Sequence, residues 1–411
     1  MSLFAAITLL GAATSAPAVE ATLIYGDIVH TVSGEAITDG YVLVRDGHIV
    51  AVGAAMDAQP TGNERIMRAA VVTPGLVDAR ATVGLTGQYN TKHDQDMLEH
   101  SSPMQPQLRA LDAYNPQERL VEWVRGFGTT TVHTGHAPGA LISGRTFIVK
   151  TAGNTVDDAV IVPDAMVACT LGPSGQSGGG APGNRSKGIA MLRQKLLDAS
   201  HWMHDDGSDE DDEDGKDKGP KKRDLEMEAM VRVLQGDMPL LVYANRAQDI
   251  ANAIRLAQEF DIRMVLDGGA ESYMVLDELR NAGVPVLSHP PMIRMVEERR
   301  NAAFTTPSVL ADAGIPMAIQ TGYESYVPKV RVLVFEAGHA AAHGLGPERA
   351  LRACTLDAAN ILGIGDRVGS LEAGKDADLA LWDGDPFEWT THCTGVLIDG
   401  RVYDTSDCLE Q

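Results

Sequence analysis

Several side chains in this 411-residue sequence are of the kinds that do chemistry, and they follow short apolar runs. His133 and His136 stand in VHTGHAPG, His289 in LSHPP, and Glu324 in TGYES, with Tyr326 two residues on. Neutral imidazole and ionised carboxylate suit zinc, and a His-x-x-His pair on a loop can grip one ion. The set predicts a metal site or, for each histidine, a hydrogen-bonded pocket position. Positive charge is interleaved: Arg80 closes VDAR after Asp78, Asn245 and Arg246 follow Tyr243, and Glu271 opens a helical stretch. Arg80, Arg246 and the histidines would attract a small anionic or amide-containing ligand. The alternative for Arg80 is an internal ion pair, with Glu271 or Asp78 as partner.

Other chemistries lack their residues. No G-x-S-x-G elbow is present, and GPSGQSGGG (172–180) is a Gly/Ser loop with no phosphate-loop lysine after it. Lys150, in FIVKTAG, sits on an expected strand. His201 and His204 border the run DDGSDEDDEDGKDKGPKKRD, which has the composition of a solvated loop.

The elements that must position these residues fall into two kinds. Residues 22–52 alternate apolar and polar, with turns expected at Gly34, Asp39-Gly40 and Asp46-Gly47. A matching set closes the chain, with hairpin turns expected at Asp383-Gly384 and Asp399-Gly400. Between them, strands are expected at Ala69–Val72, Gly128–Val132, Pro239–Tyr243, Arg263–Leu266, Val284–Leu287 and Pro316–Ile319, alternating with helices such as 247–260 and 271–283. That βα rhythm predicts a parallel sheet and, at this length, a (β/α)8 barrel. The expected division is a signal peptide over 1–18, a composite β-sandwich from 19–70 and 365–411, and a barrel over 71–364 with an acidic insertion at about 204–224.

A net charge of −22 disfavours nucleic acid as a partner. The opening MSLFAAITLLGAATSAPAV is uncharged, with an A-x-A-like site at Ala16-Pro17-Ala18, so a periplasmic or secreted location is expected. No later run has the ~20 apolar residues that cross a bilayer, so no membrane partner is expected. Cys393 and Cys408 could pair in an oxidising compartment; the alternative for these and for Cys169 and Cys354 is free thiols.

The phrases TPGLVDAR, GFGTTTVHTGHAPGALISG, LLVYANRAQDIANAI, LDGGAESYMVLDELRNAGVPVL and CTLDAANILGIGDRVGSLEAGKDADLALWDGDP together resemble the amidohydrolase superfamily, on its imidazolonepropionase-like branch. The resemblance implies a distorted barrel flanked by a β-sandwich. Active relatives hydrolyse C–N bonds with one or two zinc ions, which lower the pKa of a bound water and polarise the carbonyl. The family's first-strand histidines fall on Arg80 and Thr82. Its later histidines fall on Tyr243 and Gly268, and its last-strand aspartate falls on Gly322. Arg and Gly side chains do not ligate zinc, and Thr and Tyr do so rarely. The resemblance thus implies a degenerate copy with no cofactor, acting as a binding or partner subunit, in a homo-oligomer or with an active paralogue. The alternative is an active hydrolase with a rearranged site built on His133, His136, His289 and Glu324.

Overall fold

The computed structural model describes residues 21–89, 91–176, 180–205, 223–324 and 330–405. The expected signal peptide, most of the acidic insertion, Tyr326 and Cys408 lie outside them. In chain order the strands are β1 (Thr22–Val29), β2 (Ile37–Arg45), β3 (His48–Ala54), β4 (Arg65–Pro74), β5 (Leu76–Ala81), β6 (Thr129–Thr134), β7 (Ile142–Arg145), β8 (Phe147–Lys150) and β9 (Val160–Val162). They continue with β10 (Val167–Thr170), β11 (Leu240–Ala244), β12 (Met264–Gly268), β13 (Val286–Ser288), β14 (Met317–Ile319), β15 (Leu379–Trp382), β16 (Cys393–Ile398) and β17 (Arg401–Asp404).

Strands from both ends of the chain make one seven-stranded sheet, in the order β17-β16-β15-β4-β1-β2-β3. Its two halves join where β15 runs antiparallel to the end of β4. The turns Asp46-Gly47 and Asp399-Gly400 each hold both residues at positive φ (53° and 81°, 49° and 73°), as tight hairpin turns require. Ala377 accepts from the Gly400 N–H and donates to the Gly47 carbonyl, so the sheet curls over a shared core that includes Ile24, Val42, Ile49, Val72, Leu379 and Leu397. Two expected turns differ. Asp39-Gly40 lies inside β2, with Asp39 at φ 48°, and Asp383-Gly384 begins a longer connection between β15 and β16.

The remaining strands have a TIM-barrel-like arrangement. β10 to β14 are parallel neighbours, as are β5 and β6. The segment 142–150 departs from the all-parallel expectation, pairing antiparallel with β10 through β7 and with β6 through β8. The link from β6 to β7 covers only residues 135–141, short of the dozen or more that a parallel crossover needs. On the opposite side, Gly322 N–H donates to Arg80 C=O at 2.9 Å and ties the end of β14 to β5. The helix Ala247–Phe260 has the bounds expected from its pattern; the 271–283 stretch is a short turn of helix plus Leu276–Ala282, closed by Gly283 at φ 63°.

Strand periodicity then layers the interior. Ile148, Ala168, Leu241, Val265, Leu287 and Ala318 share one apolar cluster with Ala358 and Ala359 of the helix Leu356–Ile361. Two residues further along four of these strands, on the same face, stand Tyr243, Asp267, His289 and Gln320. Lys150, two residues after Ile148 on the antiparallel strand, faces the opposite end. Its ammonium is buried and meets Asp376, Asp378 and Asp399 at 2.8, 2.9 and 2.5 Å, clamping barrel to sheet. Lys150 is therefore a structural cation, remote from the residues at the strand ends. Lys150→Met leaves the buried Asp378 without its cation and should cost about 3–5 kcal/mol, measured by denaturant unfolding. The three carboxylates raise the Lys150 pKa against the burial that lowers it. Its contribution should thus be complete below about pH 10 and fade only at higher pH.

Candidate functional site

At the C-terminal ends of the strands, Arg80, Tyr243, Asp267, Gly268, His289, Gln320 and Gly322 line one small cavity with room for about one water (about 10 Å³). Arg80 reaches inward because the β5–β6 register shifts between Asp78 and Ala81. Its guanidinium, only 3% exposed, donates from Nε to Asp267 Oδ2 at 3.3 Å and from its terminal nitrogens to the carbonyls of Ala81, Gly135 and His136. Gln320 Nε2 donates to the other Asp267 oxygen at 2.9 Å. Burial lowers the Arg80 pKa and raises that of Asp267, and each opposes the shift in the other. Arginine keeps its proton in such settings, so the pair is ionic. The expected partners were Glu271 or Asp78; Asp267 is the partner instead. Glu271 sits at the N-terminus of the helix Ala247–Phe260, where it accepts from Ala247 N–H (2.8 Å), Arg246 (2.8 Å) and Asn301 (2.7 Å). Burial opposes ionisation of Glu271, but those donors hold its pKa below the ordinary value. Asp78 accepts from the Thr321 backbone and hydroxyl; burial pushes its pKa up to about 6.

The other positions onto which the resemblance maps family ligands are closely packed. Tyr243 lies against Gly268: a Cβ there would stand 3.2 Å from the Tyr243 ring and 3.0 Å from Asn245 Oδ1, and φ is 89°. A side chain at 268 would thus crowd the Tyr243 ring and Asn245 by a few tenths of an ångström, at a backbone φ that L side chains rarely adopt. Gly322, at φ 66°, carries the N–H that binds Arg80 C=O. Thr82 is buried beside this cavity's Arg80, but it is not part of the lining, and its hydroxyl makes no hydrogen bond.

The histidines do not share a site. His133 is fully buried, with Nδ1 on Ala79 C=O (2.8 Å) and Nε2 on the Thr146 hydroxyl (2.7 Å). Burial and then Arg80 depress its pKa to about 3. His289 pairs with Pro290 C=O (2.9 Å) and the Thr306 hydroxyl (3.2 Å), and burial takes it to about 4. His136 packs its ring against Gly144 with neither ring nitrogen in a hydrogen bond; burial and Arg80 hold it near 4. All three are neutral near pH 7. Among the described residues no group of three or more His, Cys, Asp or Glu is placed to hold a metal ion. The donor set at the mouth does not fit zinc: Arg80 fills the centre, and Asp267 is spent on it.

Outside Tyr243, Tyr323 and Pro138 lies a larger basin of about 630 Å³. Its walls carry Lys92, Arg294 and Arg299 against Glu297, Glu298 and Glu324, with apolar surface from Met97, Leu98 and Val296. Glu298 accepts from Ser174 Oγ (2.6 Å) and Asn245 Nδ2 (3.5 Å). Glu324 accepts from Arg299 (3.4 Å) and Arg331 (2.8 Å), so it is an ion-pair residue of the rim. Asp267 and Gln320 are the residues that sequence reasoning missed. Their signal was a polar residue two places beyond an inward apolar one on a buried strand.

Arg331 also reaches Glu336 at 3.3 Å. Glu336 is fully buried, accepts from Met292 N–H at 2.8 Å, and burial pushes its pKa up to about 7. Its folded pKa lies above the unfolded one, so ionising it costs stability as pH rises from about 4.5 to 7. Glu336→Gln should therefore gain on the native protein by about 1–3 kcal/mol between pH 4.5 and pH 8. Guanidinium unfolding at both pH values measures the difference.

The amidohydrolase family signature matches residues 248–405. An amidohydrolase from Hapsidospora irregularis, tasK, is 24% identical over 393 residues, covering 88% of this chain and 40% of that protein. An imidazolonepropionase from Shewanella baltica is 33% identical over 121 residues, 28% of this chain and 30% of that protein. The chain thus spans well under half the length of these relatives. The crystal structure of an amidohydrolase from Thermotoga maritima superposes with a TM-score of 0.85 at 26% identity, covering 93% of this chain and all of that one. An adenosine deaminase from Xanthomonas campestris with bound zinc, 18% identical with a TM-score of 0.56, shares the fold. The signature, the relatives and the barrel-like fold with its added sheet agree in supporting a member of the amidohydrolase superfamily.

Proposed function

We propose that this protein is a degenerate amidohydrolase that binds a small ligand at the barrel mouth without a metal and without hydrolysing it. The observation that carries the reading is the Arg80–Asp267 pair: a buried guanidinium, hydrogen-bonded on every side, stands among the positions where relatives hold zinc. A dication at 4 Å from that charge would be repelled by about 8 kcal/mol at an effective dielectric of ~20. Glu298 and Glu324 already have donors, and His133 and His289 have both ring nitrogens engaged.

The chain's own residues support binding. The inner cavity is too small for more than a water, so a ligand would rest in the outer basin on the Tyr243 and Tyr323 rings. Balanced charge on the basin walls suits a small molecule with a carboxylate and an amide, rather than a polyanion. A periplasmic or secreted location and assembly with itself or an active paralogue complete the reading.

Purified protein, dialysed against a weak chelator, should retain less than about 0.1 zinc per chain by elemental analysis, because no three-ligand site is formed among the described residues. Stoichiometric zinc together with hydrolysis of an amide, lactam or dipeptide would overturn the proposal. Arg80→Met should cost about 3–5 kcal/mol of stability by stranding Asp267, read from denaturant unfolding. A neutral effect would mean that the pair does not hold the mouth.

A further inference from the structure

At the other end of the barrel, three arginines from separate parts of the chain converge on one carboxylate. Arg232 Nη1 lies 2.8 Å from Asp164, Arg145 Nη1 3.2 Å and Arg109 Nε 3.7 Å. Arg145 ends β7 opposite Val167 at the start of β10, and Arg232 lies in the last turn of the helix Leu225–Leu234 that leads into β11. The cluster is thus at the N-terminal ends of the strands, away from the mouth.

The charges do not balance. Arg109 also has Asp112 at 3.8 Å, and the nearby Arg223 is taken by Glu228 at 2.6 Å. Four arginines therefore face three carboxylates, leaving positive charge in excess on a protein whose net charge is −22. Hydrogen-bonding capacity is also left over: Nε of Arg109, Nε of Arg145 and Oδ1 of Asp164 are buried and make no hydrogen bond. Burial, with Arg109 and Arg232 beside it, lowers the Arg145 pKa although Asp164 raises it. The Arg109 and Arg232 side chains are 36% and 37% exposed, so solute can reach the cluster. Guanidinium forks pair bidentately with tetrahedral oxyanions as well as with carboxylates.

We propose that Arg109, Arg145 and Arg232 form a binding site for a phosphate group, free or as a monoester, with Asp164 as the resident competitor for the same guanidiniums. The site takes a dianion because one positive charge is in excess and displacing Asp164 from the guanidiniums frees a second. It is independent of the mouth, and its failure would leave the reading of the mouth untouched.

The test uses the full chain, titrated with inorganic phosphate and separately with glycerol phosphate, at constant ionic strength balanced with chloride. Melting temperature should rise saturably, with an apparent Kd on the order of 1 mM. Arg232→Gln should weaken binding about tenfold, and Asp164→Asn should tighten it about tenfold by removing the competitor. A response to both ligands identifies the shared phosphate group as what is recognised; a response to free phosphate alone assigns the site to the inorganic ion. No saturable response by the native protein overturns the proposal, as does a folded Asp164→Asn that binds no tighter. If Asp164→Asn does not fold, Asp112→Asn replaces it: Asp112 is 67% exposed and removes the second carboxylate from Arg109. Unchanged affinity in Asp112→Asn would then overturn the proposal.

Discussion

One buried cation, Arg80, sets the terms for the barrel mouth. A guanidinium out of water must have an opposing charge and an acceptor for its N–H groups. Asp267 provides the charge and the carbonyls of Ala81, Gly135 and His136 provide the acceptors. At 3.3 Å and an effective dielectric of ~20, the Coulomb attraction is about 5 kcal/mol. The desolvation of two ions costs several kcal/mol each. The pair therefore adds little net stability, and its consequence is geometric. It sits where β5 shifts register, holds the carbonyls of the β6–β7 link beside β5, and commits Asp267, with room for about one water left at the centre.

The same rule operates at the opposite end with different geometry. Lys150 presents a point charge to three carboxylates from the C-terminal part of the sheet, where Arg80 presents a planar fork to one carboxylate and several carbonyls. Both cations lie on segments that depart from a regular parallel ladder, β5 at its register shift and β8 as the antiparallel strand. The irregularities of the barrel-like sheet and its buried charges thus occur together. The Tyr243 ring packs close over Gly268, and the ligand-sized space lies outside it, in the basin.

Much of this was legible from local pattern. The hairpin turns Asp46-Gly47 and Asp399-Gly400, the helix 247–260 and the apolar strands follow from turn chemistry and periodicity, which act over a few residues. The long C-terminal phrase around Gly369-Ser370-Leu371 carried the superfamily, and the residue types at positions 80, 82, 243, 268 and 322 carried the expectation that no zinc is held there. The turn expected at Asp39-Gly40 became part of a strand because β1 and β3 hydrogen-bond on either side of it, and neighbouring strands override a local turn preference.

What only the tertiary structure decided is which groups meet. Arg80 and Asp267 are 187 residues apart, and Asp78 and Thr321 are 243 apart. From sequence, Glu271 and the adjacent Asp78 were equally suitable anions for Arg80. Glu271 is instead held at a helix N-terminus by Arg246 and Ala247, and Asp78 by the next strand. Sequence alone determined the kinds of side chain available and the strands that carry them. Pairing depended on the inward face of β12 and on the register shift in β5, because a charge selects its partner by distance in the folded barrel and not along the chain.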